Sequence, residues 1–136
     1  MAISLDRLTA FQHKAVNIRN DRMEVIAGNL ANANTPGYKA RDIDFKEAMR
    51  SATYGQSQNM TRTNEKHLQG SSSMLPNEIK FRETTQPDTG DGNNVEVQLE
   101  RNTFLDNGLR YQASLQFLDG KFKGFKKALT GGQGGG

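Results

Sequence analysis

The sequence predicts a mainly helical fold: long N- and C-terminal helices paired as a coiled-coil-like unit, around an irregular, partly extended or flexible middle carrying little β structure. Three observations predict it. Apolar residues recur at helical spacing near both ends of the 136-residue chain, and the stretch between them is poor in such residues. The C-terminal set also keeps a seven-residue period, through Val97, Phe104, Tyr111, Leu118 and Phe125, interleaved with Leu115, Phe122 and Leu129. Seven residues make nearly two helical turns, so such a row keeps facing one partner.

The N-terminal helix of the core falls within residues 1–33. Leu8, Phe11, Ala15, Ile18 and Val25 follow one another at helical steps, and Val16, Met23, Ile26 and Leu30 widen the stripe from position 5 onward. Ser4 is the N-cap that this start predicts, with Asp6 in the first turn. The stop lies in Asn34-Thr35-Pro36-Gly37-Tyr38. Pro36 drives Thr35 out of helical geometry, and Pro then Gly at the central positions favours a type II turn.

Residues 34–49 read as that turn and an extended arm, in which Ile43, Phe45 and Met49 half-alternate like a short strand. Across 50–93 the only Leu, Ile, Val or Phe residues are Leu68, Leu75, Ile79 and Phe81. So little apolar surface does not offset the entropy of ordering that length, which predicts a flexible or partner-ordered middle. Within it, Ile79 to Thr84 alternates as one short strand. The C-terminal helix of the core is expected over 94–130, capped by Asn94 and carrying Glu96 and Glu100 near the positive end of its dipole. Gly108, Gly120 and Gly124 each weaken it by about 1 kcal/mol relative to alanine. The glycine-rich stretch 131–136 has no apolar anchor and is expected to be a disordered tail.

Composition narrows the function classes. Cysteine and tryptophan are absent, which rules out disulfides and thiolate chemistry, and hydrophobic residues make up 34% of the chain. A core that modest implies a large surface that is either wetted or covered by a partner. The net charge of +3 gathers at Lys121, Lys123, Lys126 and Lys127, a placement that suits a helix C-terminus. The rest of the chain mixes both signs, so a nucleic-acid surface is not expected. No signal-peptide pattern and no apolar run long enough to span a bilayer occur. His13 and His67 lack companions at metal-ligand spacing, so no metal and no cofactor are predicted. Asp42 and Asp44 share a strand face, but no further catalytic group accompanies them, and solvent exposure or ion pairing at an interface is the preferred explanation. No small-molecule substrate and no enzyme activity are expected.

The most specific string is Asn29-Leu30-Ala31-Asn32-Ala33-Asn34-Thr35-Pro36-Gly37-Tyr38-Lys39. Its helix end and tight turn need no special explanation; the density of asparagine does. Asn29 continues the heptad register of Leu8, Ala15 and Arg22, and a seam asparagine fixes register between helices at some cost in stability. Ala31-Asn32-x-x-Thr35-Pro36-Gly37-Tyr38 resembles the signature of the flagellar axial proteins, the rod, hook and hook-associated family. Ala40 to Phe45, Glu100 to Phe104, Asn107 and Leu109 to Leu118 resemble the proximal rod branch of it. Val95 to Gln98 and the glycine-rich tail depart from the family pattern.

The resemblance implies a subunit whose terminal helices pack as the inner layer of a helical tube across the periplasm. It also implies export through the flagellar type III apparatus without a cleaved signal peptide. Implied partners are copies of the chain, other rod proteins, and components of the export gate and basal-body ring. Seam residues Leu8, Phe11, Ile18, Val25, Phe104, Tyr111, Leu115, Leu118, Phe122 and Phe125 are expected to bury surface within and between subunits. Asn29, Asn32, Pro36, Gly37 and Tyr38 are expected to set register and aim the arm. The alternative is a small helical adaptor or secretion chaperone that binds an acidic partner or a membrane surface through its lysine-rich helix end.

Overall fold

A computed structural model describes residues 5–54, 79–83 and 90–131. Three helices and one short strand pair make up the described fold: α1 (Leu5–Ala31), β1 (Arg41–Ile43), α2 (Phe45–Tyr54), β2 (Ile79–Phe81) and α3 (Val97–Leu129). The expected cap Ser4, the tail beyond 131 and most of the polar middle lie outside the described residues.

The two long helices run antiparallel: Asn29 of α1 meets Glu100 of α3, whereas Arg19 meets Asn107. Against the other side of α1 lie β1 and α2. Ala15 and Ile18 of α1, Ile43 of β1, and Ala48 and Met49 of α2 form the buried cluster, with Val25, Phe45, Ala52 and Ile79 packed around it. Ile26 and Ala40 are also fully buried. Arg19 lays its guanidinium 3.9 Å from the centre of the Phe45 ring, a cation–π contact that helps seat α2. The Lys14 ammonium donates to the Ala52 carbonyl in the last turn of α2.

The extended arm expected over 34–49 is corrected at Phe45, where α2 begins. Asp44 caps it: its Oδ1 accepts from the backbone N–H groups of Lys46 and Glu47 at 3.0 and 3.1 Å. Phe45, Ala48, Met49 and Ala52 then fall on one face at three- and four-residue steps. With Ile43 before it, the half-alternation in the sequence is the join of a strand to a helix.

β1 pairs antiparallel with β2, placing Arg41 opposite Phe81, Asp42 opposite Lys80 and Ile43 opposite Ile79. This is the strand expected near Ile79, three residues long. The start of the last helix is a second correction. Asn94 does not cap α3, whose N-cap position is Glu96 with no side-chain cap bond. Instead the Asn94 side chain accepts from the Ala40 N–H at 2.6 Å and donates to the Arg82 carbonyl at 3.2 Å. It ties the chain entering α3 to both strands.

The seam of α3 is rotated from the expected one. The face turned to α1 carries Val97, Phe104, Tyr111 and Leu118, each half-buried, beside a row of Glu100, Asn107 and Ser114 that is polar throughout. Leu115, Phe122 and Leu129 are exposed on the far side of the first row, and Phe125 is half-buried. Intrachain pairing therefore uses one flank of the apolar stripe and leaves the other uncovered.

Candidate functional site

The asparagine-rich string and the segment before α3 meet in a polar clamp at one end of the α1–α3 pair. Thr35, Pro36, Gly37 and Tyr38 form the predicted tight turn. The Tyr38 N–H donates to the Thr35 carbonyl at 3.2 Å, and Gly37 sits at φ 74°, the left-handed geometry a type II turn requires at its third residue. The turn is pinned from outside. The Gly37 N–H donates to the Asp91 carbonyl at 2.9 Å, and the Asn94 N–H to the Tyr38 carbonyl at 3.2 Å. Gly92, itself at φ 75°, lies so near that a Cβ there would stand 3.4 Å from the Gly37 Cα.

Helix α1 ends with four carbonyls lacking intrahelical partners. The Asn93 side-chain amide, on a residue only 6% exposed, donates to the carbonyls of Asn32, Ala33 and Thr35 at 3.0, 2.9 and 2.8 Å. Asn32 donates its own amide to the Gly28 carbonyl at 2.8 Å and accepts from the Thr35 hydroxyl at 3.1 Å. The last carbonyls of α1, on Gly28, Asn29 and Leu30, are taken locally by the backbone and side chain of Asn32 and the backbone of Ala33, and the turn that follows the helix is held by the distant Asn93 side chain.

Asn29 is the hub. Fully buried, it donates to the Arg41 carbonyl at 2.6 Å and to Glu100 Oε2 at 3.1 Å. Its Oδ1 accepts from the Arg41 N–H at 3.0 Å and from the Tyr38 hydroxyl at 3.4 Å. Both amide protons and the carbonyl oxygen are therefore engaged. One side chain joins α1, the turn, β1 and α3.

Charge completes the clamp. Arg22 reaches Asp42 through two bonds of 2.7 and 2.9 Å, and Arg82 bonds the same carboxylate at 2.9 Å while its other nitrogen pairs with Glu100. Burial alone pushes the Asp42 carboxyl up, but the bonds and charge of Arg22, the bond from Arg82 and the Ile43 N–H outweigh it, leaving it below its ordinary value. For Glu100, 1% exposed, burial prevails over the Asn29 bond and the Arg82 charge and raises the carboxyl. Bonding to Asp42 raises Arg22.

Of the residues singled out from sequence, the fold brings Asn29, Asn32, Gly37 and Tyr38 together, with Pro36 exposed in the turn. Asp42 and Asp44 do not form a carboxylate pair: one is held by two arginines and the other caps a helix. Ile18 is in the core and Val25 packs against it. Phe11 is 57% exposed, and the Leu8 side chain lies outside the described residues. Sequence reasoning missed Asn93, Arg82 and the pairing role of Glu100. The repeated asparagine of Asp91-Gly92-Asn93-Asn94 was the available signal for the first; nothing local marked Arg82.

Among the described residues no group of His, Asp and Glu is placed to hold a metal ion, and no helix is long and apolar enough to cross a membrane. The chemistry available is that of a structural joint.

The pattern of a family described as Flagella basal body rod protein matches residues 10–39, which cover most of α1 and the turn. Relatives resemble the chain over nearly its whole length. The flagellar basal body rod protein FlgB of Aeromonas hydrophila is 47% identical over 98% of this chain and 100% of its own. That of Escherichia coli K12 is 43% identical, over 97% and 99%, and that of Salmonella typhimurium 42%, over 94% and 99%. With the signature residues forming the clamp and likeness of this extent on both sides of it, the chain belongs to the FlgB family of flagellar basal body rod proteins.

Proposed function

We propose that the chain is a structural subunit of the proximal rod of the bacterial flagellar basal body, assembling through its terminal helices into a helical tube that transmits torque across the periplasm. Family membership supports the reading, and one observation carries it. The clamp closes the fold internally, yet α3 leaves Leu115, Phe122 and Leu129 exposed in one row, with Leu105, Leu109 and Phe117 exposed on its other faces. Apolar surface on that scale marks a surface that a partner covers. Copies of the chain and other rod proteins are the partners it suits, with export-gate and ring components at the rod's base, and no catalytic step is involved. Leu8, Phe11, Leu115, Phe122 and their neighbours on the stripe are the interface residues we assign.

The test is incorporation. Leu118→Asp places a charge on the half-buried row and Phe122→Asp places one on the exposed row. Both variants are expected to be made and to be missing from detergent-extracted basal bodies, with motility lost. Normal rods built from both variants would refute the reading. The adaptor alternative predicts instead a binding activity abolished by moderate salt and by neutralising Lys121, Lys123, Lys126 and Lys127.

A further inference from the structure

A cavity of about 300 Å³ opens beside α1, between its last turns and the strand pair, where Val25, Ile43 and Ile79 supply apolar lining and Asp21 and Glu24 supply carboxylates, with Arg41 also at its edge. Asp21 and Glu24 form no ion pair among the described residues. Burial, then the neighbouring Glu24, holds the Asp21 carboxyl above its ordinary value, so a cation brought to this edge would relieve a real electrostatic cost. The volume lies at the lower end of the roughly 300–1,000 Å³ typical of binding pockets, which suits inserted side chains rather than a folded unit.

The complementary surface is the end of α3. Phe122, Lys126 and Leu129 lie on one helix face at i, i+4 and i+7; Phe122 is 47% and Leu129 83% exposed. Lys126 and Lys127 form no ion pair among the described residues. The same molecule cannot make the contact. Because α3 runs antiparallel to α1 and Asn107 already lies at Arg19, Phe122 is carried about 22 Å further from the cavity at 1.5 Å per residue.

Resting on the reading of the chain as a self-assembling subunit, we propose that this cleft receives the last two turns of α3 from a second copy. Phe122 and Leu129 enter against Val25, Ile43 and Ile79, while Lys126 and Lys127 face Asp21 and Glu24. The cleft and the helix end are different surfaces at opposite ends of the α1–α3 pair. The contact is therefore head-to-tail, the kind that propagates into a filament instead of closing as a dimer.

Full-length variants reverse each side separately: Asp21→Lys with Glu24→Lys, and Lys126→Glu with Lys127→Glu. In sedimentation velocity each variant alone is expected to self-associate about tenfold or more weakly than the parent, because like charges then meet at the contact. An equimolar mixture is expected to regain association with the two variants alternating, since the lysine cleft of one accepts the glutamate helix end of the other and the acidic cleft of the second accepts the unsubstituted lysine end of the first. A parent chain that stays monomeric, or a mixture that stays monomeric, overturns the docking. So does a photo-crosslinker at Phe122 that, in assembled basal bodies, captures a different rod protein instead of the 21–28 segment of another copy. Wild-type levels of both variants in basal bodies, with no complex in the mixture, would sink this contact and leave the rod reading standing; absence of the parent chain from basal bodies would sink the rod reading.

Discussion

Asn29 shows how much of a fold one amide can hold. All its hydrogen-bonding groups are engaged and it has no exposed surface. Asn29→Ala strands the Arg41 N–H and carbonyl and one Glu100 oxygen, at about 1–3 kcal/mol for each buried group left unpaired. A loss of several kcal/mol in urea unfolding is expected, far above a surface substitution. Glu100 and Asp42 give the clamp opposite pH responses. Asp42 is depressed from 3.8, so its contribution is present above that value and is lost as pH falls through the lower folded value. Glu100 is raised from 4.5, so the native state holds a proton that the unfolded chain has released, and stability falls as pH rises from 4.5 through the folded value. Glu100→Gln is expected to remove that decline from the urea midpoint and keep the acid limb below 3.8. Asn29 was legible in the sequence because it continues the heptad register of Leu8, Ala15 and Arg22 inside an asparagine-rich string. Arg82 was not, because its partners come from β1 and α3, and only tertiary structure joins them.

At the scale of elements, both long helices were legible from periodicity and α2 was not. Ten residues offer too few turns for the helical period to separate from alternation, and Asp44 looked like a strand residue until its carboxylate was seen closing the first turn of α2. The seam was legible in period, and its row of Val97, Phe104, Tyr111 and Leu118 does face α1, but the polar row beside it was not legible. Apolar rows mark where a helix is sticky, but Glu100 and Asn107, both buried, hold the intrachain contact one row over. Asn107 donates to the Arg19 carbonyl at 2.8 Å while its own Oδ1 is buried without a partner. That is an unfavourable way to fill a helix interface unless register matters more than stability. Asn107→Leu removes the unpaired oxygen and is expected to raise stability by about 1 kcal/mol in chemical denaturation. An unchanged or lower midpoint would mean that the amide contributes more than the oxygen costs.

Across the whole molecule, order is graded along the α1–α3 pair. The clamp and the strand pair gather at the end where α1 stops and α3 starts, and the core cluster sits against the middle of α1, at Ala15 and Ile18. Among the described residues of α3, none beyond Asn107 is buried. Gly108, Gly120 and Gly124 fall in that open half, and a Cβ at any of them would meet nothing within 4 Å. Packing therefore does not require these glycines, and each lowers helix stability by about 1 kcal/mol relative to alanine. A helix that is anchored at its start and weakened past its middle should open from its end, and local opening free energy follows buried contact. Amide hydrogen exchange on the dilute chain is accordingly expected to be slow over 100–107, where the helix hydrogen bonds begin, and faster by orders of magnitude over 115–129. Gly120→Ala with Gly124→Ala should narrow that gap without touching the clamp. Assembly should then close it in the unsubstituted chain, because the apolar flank left uncovered in the monomer is the surface a neighbour would bury. Uniform protection along α3 before assembly would mean that the helix end is already stable alone, and self-association would gain nothing from ordering it.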